Sequence, residues 1–103
     1  MDAAELFDAL FGREIDPEWR IFASCREIDA DVFFPREREP AGKVKAICRG
    51  CAVQPECLAM AIATGEAHGI WGGLTHRERL HVVRTLRRAG FRIPRWRRGQ
   101  SAA

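Results

Sequence analysis

The spacing of apolar residues predicts helices along most of the chain, and no run of useful length alternates with the two-residue period of a strand. The first helix falls within residues 2–11. Asp2 followed by Glu5 is typical of a helix start, and Gly12 is typical of a helix end. The apolar stripe of this helix consists of Ala3, Leu6, Phe7, Leu10 and Phe11.

Further helices are predicted downstream, at about residues 17–25, 41–49, 55–65 and 75–89. Proline suits the first position of a helix, so Pro17 and Pro55 mark two of these starts. The residues predicted to share a face are Val44, Ile47 and Cys48 on one helix, and Cys57, Met60, Ala61 and Thr64 on the next. The stretch between residues 26 and 40 is predicted to be irregular.

The last predicted helix begins at Thr75, which matches a capping box together with Glu78. Its inward residues are predicted to be Leu80, Val83 and Leu86, and Arg84, Arg87 and Arg88 are predicted to face solvent or a partner. Gly90 ends this helix. The basic residues beyond it, which Pro94 interrupts, are therefore expected to form a tail.

The predicted fold class is all-α, with about four to five short helices in a domain at residues 1–90 and a basic C-terminal tail at 91–103. A chain of 103 residues has a small core, so a cofactor at its centre would contribute to stability. No apolar run approaches the roughly 20 residues of a membrane span, and no signal peptide is evident. We therefore expect a cytoplasmic protein without a membrane partner, in a compartment where disulfides do not persist.

Charge is distributed unevenly along the chain. The net charge is −6 over residues 1–39, +1 over 40–76 and +8 over 77–103. Phosphate binding is largely electrostatic and suits the guanidinium group, so the arginine-rich end is predicted to contact DNA. The alternatives are a solvated end or one that meets an acidic protein. The arginines assigned to DNA are Arg84, Arg87, Arg88, Arg92, Arg95, Arg97 and Arg98.

The four cysteines carry the strongest chemical signal. They are Cys25, Cys48, Cys51 and Cys57, with the spacing C-x22-C-x2-C-x5-C. Two intervening residues let the chain turn back, so Cys48 and Cys51 can reach one metal centre, and Pro55 places Cys57 in the first turn of a helix. Four thiolates satisfy either a tetrahedral zinc or an iron–sulfur cluster. The spacing alone leaves both groups open.

Other uses of the cysteines are less favoured. Four unrelated core cysteines are one alternative, because cysteine is often buried as a small apolar residue. A disulfide framework would need a secretion signal, and a redox-active C-x-x-C of the thioredoxin type would need a βαβ context that the pattern lacks. His68, His76 and His81 are scattered, and we interpret them as ordinary polar positions.

Aromatic residues next to glycines and proline form a second group of signals. Trp71 lies within Gly69-Ile70-Trp71-Gly72-Gly73, where three glycines in five residues favour a turn with positive φ. Its indole is either buried in a tight connection or an anchor for a partner. Phe33-Phe34-Pro35 has the same two interpretations, since two adjacent aromatic rings rarely both point into one core, and Trp19 is compatible with either.

Together these motifs resemble those of WhiB-like proteins, a family of iron–sulfur transcription factors of actinobacteria and their phages. The resemblance covers about residues 17–90. The matching pieces, in family order, are Trp19 and Ala23 before Cys25, then Phe33-Phe34-Pro35, Cys48-Arg49-Gly50-Cys51, Cys57-Leu58, Gly69-Ile70-Trp71-Gly72-Gly73, and the helix start from Thr75 to Arg79 with a basic end.

The resemblance implies a [4Fe-4S] cluster held by the four cysteines inside a small helical fold. It implies docking, as a monomer in a 1:1 complex, on region 4 of the principal sigma factor of RNA polymerase, with promoter DNA contacted by the basic C-terminal part. By position the docking residues are Trp19, Phe33, Phe34 and Trp71. Clusters in this family react with oxygen or nitric oxide, which extends the expectation to a sensing role.

Departures and alternatives also follow from the residues. Some family members have an Arg-Gly-Arg-Pro tail that this chain lacks, so A·T recognition in the minor groove is not expected by that route. A zinc-stabilised nucleic-acid-binding module is one alternative function. A thiol–disulfide oxidoreductase using Cys48 and Cys51 is another, but no general base is evident, and we expect no enzymatic activity.

Overall fold

The computed structural model describes residues 2–12, 18–23, 33 and 42–96 of the chain. Within these ranges the protein is all-α, as the sequence predicts, with no β-strand. The helices of the described part are α1 (Ala3–Phe11), α2 (Gly42–Arg49), α3 (Gln54–Thr64) and α4 (His76–Arg88), together with a 3₁₀ helix at Trp19–Phe22. That 3₁₀ helix is the described part of the second predicted helix, whose predicted ends lie outside the described residues.

Helix α1 begins and ends where the sequence predicts. The Asp2 carboxylate accepts a hydrogen bond from the Glu5 amide at 2.8 Å, which satisfies one of the unpaired N–H groups at a helix start. The Gly12 amide, just past the last helical residue, donates to the carbonyl of Asp8 at 2.9 Å. Leu10 is buried, and the apolar stripe of α1 faces α3 and α4.

Helix α3 is the central helix of the core, and it contacts both α1 and α4. All six residues from 58 to 63 are buried, so the helix is apolar on every side. Met60 and Ala61, on the predicted shared side, are among these buried residues, and burial extends to the other sides of the helix as well. A helix enclosed by neighbours has no solvent-facing stripe to mark its period.

Across the described ranges no single helix is long and apolar enough to span a membrane. Only the bent pair of α2 and α3 has the necessary length and composition when the two helices are taken together.

The inward stripe of α4 differs from the predicted one. Leu86 is fully buried and Val83 is half-buried, but Leu80 is 40% exposed, so its predicted inward position is wrong. The buried position in that turn belongs to Arg79, which is 3% exposed. Arg79 precedes Val82, Val83 and Leu86 at the spacing of one helix face. Because the buried residue of this turn is charged, the pattern of apolar positions alone predicts the wrong buried face in the first turns of α4.

Residues 91–96 are packed against the helices, although the sequence predicts a tail there. The ring of Phe91 stacks on Phe7 of α1 with centroids 4.7 Å apart, and Trp96 meets Phe11 edge-on at 5.9 Å. The Trp96 amide also donates to a carbonyl of α3 at 3.0 Å. A division at residue 90 stays a prediction, but the segment just beyond it is not detached, because aromatic residues bring it back over α1 and α3.

Candidate metal centre and glycine turn

Three of the predicted cysteine ligands lie at the corner between α2 and α3. Cys48 is in the last turn of α2, Cys51 is in the connection, and Cys57 is in the first turn of α3. The Cys51 amide donates to the Cys48 carbonyl at 3.0 Å, and the chain bends by 116° between the two helices. The predicted place of Cys57 in the first turn of a helix is confirmed.

Apolar side chains surround this cysteine corner. Cys51 and Cys57 are half-buried against the main core, while Cys48 is buried in a second, smaller cluster. The second cluster consists of Phe33, Val44, Cys48 and Ile70, with Ile47 packed against it. Sulfur donors suit zinc or an iron–sulfur cluster, whereas calcium and magnesium prefer oxygen donors. The chemistry of the donor set therefore fits the predicted group.

The complete ligand set stays a prediction. Cys25, the fourth predicted ligand, lies outside the described residues. Within the described ranges, no three His, Cys, Asp or Glu side chains lie close enough together to hold a metal ion. Cys48, Cys51 and Cys57 form no disulfide with one another. A four-thiolate site would add Cys25 to these three side chains.

The predicted glycine turn lies directly against the cysteine corner. Trp71 and Leu74 exchange backbone hydrogen bonds of 3.1 and 3.0 Å, which closes a tight turn around two glycines. Gly72 has φ of 58° and Gly73 has φ of 82°, conformations that other residues rarely adopt. A Cβ atom on Gly73 would lie 3.4 Å from the Cβ atom of Cys48. Ile70, which begins the turn segment, packs with Cys48 in the second cluster, so the turn lies beside the cysteine corner.

Hydrogen bonds from outside the turn fix it further. The Gln54 side chain at the start of α3 donates to the Gly72 carbonyl at 2.8 Å. The Ile70 amide donates to the Phe33 carbonyl at 2.7 Å, so the predicted aromatic segment is attached to the turn by its backbone. The turn is consequently held by α3 on one side and by the Phe33 backbone on the other.

A capping box at the start of α4 adds a link to α2. The Glu78 amide donates to the Thr75 hydroxyl at 3.3 Å, and the Thr75 amide donates to the Glu78 carboxylate at 2.9 Å, as the sequence predicts. The ammonium of Lys45 lies 2.7 Å from the same carboxylate. The hydrogen bond from Lys45, followed by the one from the Thr75 amide, lowers the pKa of Glu78.

The aromatic residues predicted to meet a partner differ in exposure. Trp19 is 5% exposed and Phe33 is 9% exposed, so little of either ring is available to a partner. Trp71 is half-buried, and its indole N–H donates to the His68 carbonyl at 3.0 Å. Phe34 lies outside the described residues. Trp71 therefore offers the most accessible ring of the three described aromatics.

The arginines assigned to DNA are exposed wherever the structure describes them. These are Arg84, Arg87, Arg88, Arg92 and Arg95. Arg87, Arg92 and Arg95 line a shallow groove where the chain leaves α4 and turns along residues 91–96. Arg97 and Arg98 lie outside the described residues. The apolar anchors in 91–96 hold part of the basic surface against the body of the protein.

Arg79 is a functional candidate that the sequence analysis missed. It is the one buried charged residue of the described part, and its guanidinium donates hydrogen bonds to the backbone of the segment that carries Trp71. Its position in the same helical stripe as Val83 and Leu86 was the available signal. An arginine in that phase indicates a buried guanidinium with dedicated acceptors.

These features define a class: a small helical protein with a cysteine corner, a glycine turn packed on it, and an arginine-rich end. The family of WhiB transcription factors has a sequence model that matches residues 19–82. The match covers more than half of the chain, and the chain belongs to the WhiB family of transcriptional regulators.

Relatives within the family share most of this chain. It is 39% identical over 85 residues to the transcriptional regulator WhiB2 of Mycobacterium tuberculosis, which covers 82% of this chain and 96% of that protein. It is 40% identical over 77 residues to the transcriptional regulator WhiB of Streptomyces coelicolor, covering 73% of this chain and 88% of that protein. These relatives are named as regulators of transcription and not as enzymes. Helix α1 precedes the family match, and residues 91–96 follow it.

Proposed function

We propose that this protein is a cytoplasmic iron–sulfur regulator that binds a [4Fe-4S] cluster through Cys25, Cys48, Cys51 and Cys57. The observation that supports this most is the packing of Cys48 with Ile70 of the glycine-turn segment and with Phe33. Thiolate donors and apolar surroundings suit such a cluster, and membership of the WhiB family favours iron over zinc. A bound cluster supplies a redox-active centre that can react with oxygen or nitric oxide.

The residues of this chain would hold and shield such a group. The backbone of the α2–α3 corner directs Cys48, Cys51 and Cys57 from one short stretch of chain. Phe33 and Ile70 pack beside Cys48 and exclude water from that side. Binding at this position also adds to folding stability, because the ligands come from separate segments that the group would join.

We further propose that the Trp71 turn docks on region 4 of the principal sigma factor in a 1:1 complex. Tryptophan is enriched among residues that dominate binding energy, and this one is half-buried on a turn held by hydrogen bonds from Gln54 and Ile70. A fixed side chain loses little entropy on binding. The exposed arginines of α4 and residues 91–96 would then contact promoter DNA beside the sigma factor.

The docking proposal is tested with anaerobically purified protein and a sigma region 4 fragment, by calorimetry. Trp71→Ala should weaken binding by about 2 kcal/mol or more, about thirtyfold, while the visible absorption of the protein stays unchanged. Leu80→Ala is the control, because Leu80 is a large apolar residue that is 40% exposed on α4 and is not among the predicted docking residues. Equal affinities for wild type and Trp71→Ala would contradict docking through the turn.

A further inference from the structure

The guanidinium of Arg79 donates four hydrogen bonds to a segment of the chain that has no helix or strand of its own. Every acceptor is a backbone carbonyl between residues 66 and 74. The acceptors are Gly69 at 2.9 Å and Leu74 at 2.7 Å from Nη1, and Glu66 at 2.9 Å and His68 at 3.4 Å from Nη2. One side chain on α4 thus forms hydrogen bonds along most of the connection between α3 and α4.

Each partner in this arrangement meets a need of the other. A buried guanidinium is costly unless its donors are satisfied. The carbonyls of this partly buried, irregular segment have no helix or strand to supply their donors, and Arg79 supplies them. Burial lowers the pKa of Arg79, but arginine remains protonated in proteins. Because of this burial, Arg79 is not available to DNA, unlike the exposed arginines elsewhere on α4.

Two of the four acceptors are also bonding partners of Trp71. The His68 carbonyl accepts from the Trp71 indole at 3.0 Å, and the Leu74 carbonyl accepts from the Trp71 amide at 3.1 Å. Arg79 therefore holds both the carbonyl that orients the ring and the carbonyl that closes the turn.

We propose that Arg79 is a positioning residue for the docking surface: its guanidinium sets the orientation of Trp71 by holding the 66–74 segment. This inference rests on the proposed function, since it takes the Trp71 turn as the surface that meets the sigma factor. Lysine cannot replace the arginine, because one ammonium cannot reach four carbonyls spread across the segment.

The test compares Arg79→Lys with Arg84→Lys, a matched control at an exposed arginine of the same helix. Arg79→Lys should weaken binding of the sigma fragment at least about tenfold, while the visible absorption and the helical circular dichroism persist. Arg84→Lys should leave the affinity unchanged. In the double variant Arg79→Lys/Trp71→Ala the affinity should match that of Trp71→Ala alone, because Arg79 acts through Trp71. Independent, additive losses would overturn the proposal.

A second measurement needs neither a variant nor a sigma factor. Native-state hydrogen exchange of the wild-type protein should show the amides of Trp71 and Leu74 opening together with those of α4, as one cooperative unit. Fast exchange of these two amides beside a protected α4 would overturn the role of Arg79 even where Arg79→Lys fails to fold. If the wild-type protein does not bind the sigma fragment but the exchange is cooperative, docking fails while the structural role of Arg79 stands.

Discussion

Replacing Gly72 with alanine should strongly destabilise the protein, for two separable reasons. The first is conformational: at φ of 58°, a residue with a Cβ atom lowers the free energy of unfolding by about 1–2 kcal/mol. The second is steric: the new Cβ would lie 2.6 Å from the Leu58 Cβ and 3.0 Å from the Gln54 carbonyl oxygen. These atoms belong to α3 and cannot move away by a rotamer change, so overpacking adds about 1–3 kcal/mol.

Gly65 provides the control that separates the two reasons. It has φ of 71°, and a Cβ there would meet no atom within 4 Å. Gly65→Ala should therefore lower the free energy of unfolding by the conformational contribution alone, about 1 kcal/mol. In a protein of this size that lowers the melting temperature by about 4–8 °C. Gly72→Ala should cost about 3 kcal/mol and lower it by about 15 °C.

Thermal unfolding followed by helical circular dichroism measures both variants under the same anaerobic conditions. We expect the melting temperature of Gly72→Ala to lie well below that of Gly65→Ala. Equal shifts for the two variants would refute the close contact between the glycine turn and α3, because only that contact distinguishes the sites. A smaller shift for Gly72→Ala than for Gly65→Ala would refute the packing more severely.

Two further predictions concern α1 and the capping box. Phe7→Ala removes the stacking on Phe91 and should cost about 2 kcal/mol; in proteolysis, cleavage within residues 91–96 should increase, whereas the exposed Asp8→Ala should leave it unchanged. Glu78→Gln should reduce the stability of the folded state most at neutral pH, because the pKa of Glu78 is lowered in the folded protein. A carboxylate of this kind stabilises the fold fully above its unfolded-state pKa, and this contribution is lost as the pH falls through its folded-state pKa. Melting temperatures of wild type and Glu78→Gln that differ equally at neutral and acidic pH would contradict that contribution.

Features set by neighbours in sequence were predictable. The Asp2 cap of α1 and the Thr75–Glu78 capping box each need only residues three positions apart, so their signatures are complete in the local sequence. The positive φ of Gly72 also follows from the density of glycines around Trp71. The class of the fold follows from these local signals, because each of them favours helices and turns.

Features set by tertiary packing were not predictable in the same way. The burial of Arg79 depends on carbonyls in a segment that precedes its own helix. Apolar periodicity predicts the burial of apolar side chains only, so it does not predict a buried guanidinium. The packing of Phe91 on Phe7 joins opposite ends of the described chain. The arginines between Phe91 and Trp96 make this segment look like a solvent-exposed tail in the sequence. Long-range pairs of this kind leave little signal in a single sequence.

The cysteine site falls between these two cases. Cys48, Cys51 and Cys57 are close in sequence, and their place at one corner follows from a helix end, a short connection and a helix start. The position of Cys25 relative to the other cysteines depends on residues 26–40, for which the sequence predicts no regular element. The choice between zinc and iron rests on the family, since both accept four thiolates.

Metal analysis of the anaerobically purified protein tests most directly whether the four cysteines hold a [4Fe-4S] cluster. We expect a brown protein with about four iron and four sulfide ions per chain, both lost in Cys25→Ser as well as in Cys48→Ser. A colourless protein with about one zinc ion per chain and no iron would contradict it, as would a Cys25→Ser variant that keeps its full iron content.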